Sequence, residues 1–68
     1  MSEYLSVTGT GGSRDTALKN ADDLAVDYYN LPKGEVGRLD RTIGRAGARQ
    51  TYDGRVLLWE IDVEYRWV

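Results

Sequence analysis

Polar and apolar positions alternate most regularly at the C-terminal end of the chain. From Arg55 to Trp67, in steps of two, Leu57, Trp59, Ile61, Val63, Tyr65 and Trp67 form an apolar and aromatic series. The intervening series, Val56, Leu58, Glu60, Asp62, Glu64 and Arg66, turns polar after Leu58. Side chains alternate across a strand, so a period of two predicts a strand with one dry and one wet face. A helix would put Glu60 and Glu64 together and scatter the aromatics around the cylinder. The strand is long against the usual length of about five or six residues.

The rest of the chain yields three further elements. Residues 4–8 read as a first strand, with Leu5 and Val7 alternating with Tyr4, Ser6 and Thr8. Gly9-Thr10-Gly11-Gly12-Ser13 breaks it, because glycine permits tight turns. A helix follows over 14–29. Ser13 suits its N-cap and Asp15 its positive end. Ala17, Ala21, Leu24, Ala25 and Tyr28 recur at spacings of three and four as the buried stripe, with Leu18 beside them. Asn30-Leu31-Pro32-Lys33-Gly34 ends the helix, since Pro32 disfavours helical geometry at Leu31 and lacks an amide donor.

A second strand is expected over 35–43. Val36 falls out of phase with Leu39 and Ile43, and a bulge at Gly37 would reconcile them. Residues 44–47 read as a kink or loop and 48–52 as extended again. Asp53-Gly54 is the pair favoured in a two-residue hairpin, which would set residues 45–52 against the last strand. The expected fold is α+β: one small domain over 1–68, in the order β-α-β-β. An antiparallel three-stranded sheet packs on one helix, and the second strand is long, bent or split.

Length and composition narrow the class. A chain of 68 residues buries only about 60% of its unfolded surface. It has no cysteine for disulfides and no histidine for zinc. Oligomerisation is then the leading way to bury its aromatics. No apolar run approaches the roughly 20 residues of a membrane span, and the start lacks a signal-peptide pattern. A cytoplasmic protein with no membrane partner is expected. The net charge of −2 is unevenly spread. Between Lys33 and Arg55 six cations (Lys33, Arg38, Arg41, Arg45, Arg49, Arg55) face three anions, whereas the helix and the last strand are acidic.

Several groups carry candidate chemistry, each beside a plainer reading. The glycine turn could cradle a phosphate, or it is a connecting turn. Glu60, Asp62 and Glu64 lie roughly 7 Å apart along one strand face. They suit a hard cation, an acid/base pair, or a solvated face. Arg38, Arg41, Arg45, Arg49 and Arg55 could follow a nucleic-acid backbone or meet acidic surfaces of neighbouring subunits. Trp59, Tyr65 and Trp67 could stack a planar ligand or pack in a core or subunit interface. Without His or Cys, no nucleophile has an evident base, so no catalytic residues are assigned and an enzyme is not expected. No metal site is assigned.

Short motifs along nearly the whole chain resemble the dodecins, small flavin-storing β-α-β-β proteins that assemble as hollow dodecamers. They are Val7-Thr8-Gly9-Thr10, Ala17-Leu18-Lys19-Asn20-Ala21, Glu35-Val36, Thr42-Ile43-Gly44 with Ala46-Gly47, and Asp53-Gly54-Arg55-Val56. The resemblance implies a non-enzymatic homo-oligomer, dodecameric in the family, that binds or stores a small ligand such as a flavin (FMN, FAD or riboflavin). Dodecins place a stacking tryptophan just before the second strand, where this chain has Lys33-Gly34. A family glutamine on the last strand falls near Glu60. Stacking would then come from Trp59 or Trp67, and Arg38, Arg41 or Arg45 would meet an anionic end of the ligand. A nucleic-acid-binding module built on residues 38–55 and a plain assembly or interaction protein are the alternatives.

Overall fold

The computed structural model describes residues 4–50 and 57–67. They form β1 (Tyr4–Gly11), α1 (Arg14–Tyr28), a 3-10 turn (Val36–Arg38), β2 (Leu39–Gln50) and β3 (Leu57–Trp67). The strand order is β1-β3-β2. Both outer strands run antiparallel to β3 and therefore parallel to each other. This is the expected α+β arrangement of three strands and one helix.

The alternation of β3 sets the layers. Ile61, Val63 and Tyr65 are buried under α1, whereas Asp62 and Glu64 are exposed on the opposite, outer face. Ala17, Ala21 and Ala25 are the fully buried side chains of the helix and complete the core with Leu39. The wider predicted stripe is corrected: Leu24 is 53% and Tyr28 64% exposed. Methyl side chains at three successive turns bring the helix axis close to the sheet, and the larger residues on its flanks are left outside.

That close approach also corrects the first strand. Gly9 and Gly11 do not break β1 but belong to it, and the turn is confined to Gly12-Ser13. A Cβ on Gly9 would sit 2.1 Å from the carbonyl oxygen of Ala17 and 2.7 Å from the Ala21 Cβ. The glycines are needed for contact with the helix rather than for a turn. Ser13 is the expected N-cap, its Oγ accepting from the Thr16 amide at 3.1 Å. At the other end Asn30 takes the left-handed conformation (φ 56°). Its amide donates to Asp27 and that of Leu31 to Val26, which makes a Schellman stop one residue earlier than predicted.

The second strand departs most from expectation. Val36–Arg38 is a 3-10 turn, so β2 starts at Leu39, and no bulge is needed at Gly37. The bulge lies further on, where Ile43 pairs with Val63 but Ala46 pairs with Ile61. Gly44 and Arg45 together oppose Asp62, and the strand continues through the predicted kink. The extra residue shifts the phase: Leu39, Arg41 and Ile43 share the face of α1 before it, and Ala46 and Ala48 after it. Pairing with the last strand holds for Ala46–Gln50. The Asp53-Gly54 turn and Arg55-Val56 lie outside the described residues. The helix rests on β1 and β3 and barely reaches β2.

Candidate functional site

Trp59 and Trp67 share the face of β3 beneath α1 but lie eight residues apart, roughly 27 Å along a strand. One small ligand cannot touch both within a chain. Trp59 is partly buried against the core and pairs with Gly11 and Ala48. Trp67 lies at the opposite end of the sheet and stays 50% exposed.

Three elements gather aromatic side chains around Trp67. The Tyr29 ring lies 5.5 Å from it, tilted by 36°. Tyr28, 64% exposed, meets Tyr29 edge-on at 5.0 Å. The Schellman turn puts these two tyrosines here by ending the helix over the last turn of the sheet. Tyr4, pairing with Arg66, adds a further exposed ring at the same end on the outer face. Leu39 pairs with Trp67, so Arg38 is held one residue away from that pair. The exposed guanidinium of Arg38 lies 3.6 Å from Glu35. A half-exposed indole backed by a second ring can stack a planar molecule, and Arg38, within reach of Glu35, is the cation at this end of the sheet.

The other predicted residues go elsewhere. Arg41 faces the helix and contacts Asp22 at 2.7 Å. The second oxygen of Asp22 accepts the Tyr65 hydroxyl at 2.5 Å. Burial, then the bond to Asp22 and its charge, push the Tyr65 phenol above its usual range, with Arg41 acting in the opposite direction. Arg45 stands at the bulge and borders an open polar hollow with Glu60 and Asp62. Thr8 donates to Asp62 at 2.8 Å beside it. Thus only Arg38 and Trp67 are brought to one end of the fold. The Gly-rich turn is occupied in capping α1.

Sequence reasoning missed the roles of Tyr29 and Asp22. Tyr29 follows directly from the chain reversal at Asn30, which periodicity does not register. Asp22 had a readable signal: it borders the alanine stripe, and a tyrosine in a buried series needs a hydroxyl partner. Comparison with protein-family models, curated proteins and solved structures finds no match.

Proposed function

We propose that this chain is a non-enzymatic, homo-oligomeric binding protein that holds or stores a small planar ligand with an anionic end, a flavin being the leading class. The observation that carries the reading is the half-exposed Trp67, backed by Tyr29, with Arg38 one residue before its pairing partner Leu39. Exposed aromatic surface on so short a chain marks a place where a ligand or another chain binds. The sequence motifs favour a dodecin-like assembly as its setting. The arginines favour this reading over a nucleic-acid surface. Arg38 lies at the aromatic end, Arg41 is paired with Asp22, and Arg45 stands on the outer face, so the three do not line one track.

The test is a fluorescence titration of the purified protein with riboflavin and with FMN. Saturable quenching of tryptophan emission is expected, tighter for FMN, and weakened in Trp67→Leu. No quenching by either flavin would refute the flavin assignment. Sedimentation measures the oligomeric part separately.

A further inference from the structure

The face of the sheet turned away from α1 is polar throughout its middle. Row by row across β1, β3 and β2 it presents Ser6, Glu64 and Thr42, then Thr8, Asp62 and the bulge Gly44-Arg45, then Thr10, Glu60 and Gly47. An antiparallel sheet commonly leaves one such face to water. Two features set the centre of this one apart. A hollow of about 550 Å³ opens there, bordered by Arg45, Glu60 and Asp62. Gly47 pairs with Glu60, and a Cβ on it would meet nothing within 4 Å, so the space above that position is open. The hollow also carries opposite charges that do not close on each other. The bulge sets Arg45 against Asp62, yet among the described residues neither enters an ion pair. The Asp62 carboxylate is held instead by Thr8, whose hydroxyl donates to Oδ1 at 2.8 Å. Its Oδ2 has no partner among the described residues.

We infer that this hollow binds a zwitterion, a small α-amino acid whose carboxylate meets Arg45 and whose ammonium meets Asp62. The site lies on the opposite face of the sheet from Trp67 and is independent of the ligand proposed there. A guanidinium is a planar fork that takes a carboxylate through two parallel bonds, and an ammonium donates to carboxylate oxygens. The mixture of charges selects the class. A lone anion at Arg45 is repelled by Asp62 and Glu60, and a lone cation at Asp62 is repelled by Arg45. The acids among the described residues form no group of three that could hold a metal ion. The rows around the hollow carry no apolar side chain, so an aromatic ring gains little there. Only a molecule with both charges close together gains both attractions.

The test is a titration of the ¹⁵N-labelled protein at pH 7 and constant ionic strength, followed by amide NMR shifts. The probes are glycine, acetate and methylammonium. Glycine should move the amides of Gly44, Arg45, Gly47 and Asp62 along a saturating curve. Acetate and methylammonium, each making one charged contact, should bind about tenfold or more weakly. Arg45→Gln and Asp62→Asn change exposed side chains and should keep the wild-type circular dichroism spectrum, and each should weaken glycine by a similar factor. Absence of saturable shifts with glycine overturns the inference. So does acetate binding as tightly as glycine, which would mark a simple anion patch, and so does glycine affinity unchanged in both variants.

Discussion

Tyr65 and Asp22 are joined at 2.5 Å across the interface between the central strand and the helix. Among the described residues Tyr65 is the largest fully buried side chain, and its hydroxyl has reached an acid that borders the alanine stripe. Arg41, from β2, holds the other oxygen of that acid at 2.7 Å. The bonds therefore tie α1 to both β3 and β2, where apolar packing on β2 is thin. Tyr65→Phe keeps the ring and removes the donor. It should cost about 1.5–3 kcal/mol, the range for a hydrogen bond to a charged group. Denaturant unfolding measures this. A double-mutant cycle with Asp22→Asn should show coupling, and strict additivity would mean the bond is energetically idle.

The same pair predicts an alkaline limit to stability. Tyr65 is neutral when protonated, and its folded-state pKa is raised from the ordinary 10.0. Folded chains hold the proton longer than unfolded ones. The contribution of Tyr65 is therefore full below about pH 10 and is lost as pH rises above it. Thermal melts between pH 8 and 11 should show a decline that is shallower in Tyr65→Phe. Identical slopes would contradict the assignment.

Gly9→Ala should be among the most damaging small substitutions in the chain. The added methyl would lie 2.1 Å from backbone that cannot move without shifting α1. A loss of about 3 kcal/mol or more is expected, at or beyond the upper end for overpacking. Gly47→Ala, whose methyl would meet nothing within 4 Å, serves as the control and should change stability little. Comparable losses in both would show that glycine flexibility, not contact with the helix, is what matters.

Asn30 ends α1 in the left-handed region. Asn30→Gly should preserve or improve stability, and Asn30→Val should lower it by about 1–2 kcal/mol, the cost of that backbone geometry for a residue with a bulky Cβ. Because Tyr28 and Tyr29 precede this turn, Asn30→Val should also disturb the ring contact with Trp67, visible as a change in near-ultraviolet circular dichroism.

Trp59 and Trp67 should behave differently in the flavin titration. Trp67→Leu should weaken binding by roughly tenfold or more, as expected for loss of one stacking contact worth about 1.5 kcal/mol. Trp59→Leu should leave affinity largely unchanged and lower stability instead, since Trp59 packs against the core. The opposite pattern would move the site to the other end of β3.

The strand β3, with its dry and wet faces, was legible in the sequence because a period of two needs no partner to be read. The helix and its Ser13 cap were legible for the same reason: spacing and capping are local. Class and element order followed from these. What the sequence left open was decided by contacts between distant residues. Gly9 and Gly11 read as a break until α1 is placed against them, and Leu24 and Tyr28 read as core until the helix is seen to lie on alanines. The bulge at Gly44-Arg45 appears only in the pairing of β2 with β3, since residues on one strand carry no record of their register. The aromatic end arises where a helix stop, a strand end and a 3-10 turn meet, at Tyr29, Trp67 and Arg38. Trp67 is far from the other two along the chain, and only the tertiary fold brings all three to one end of the sheet.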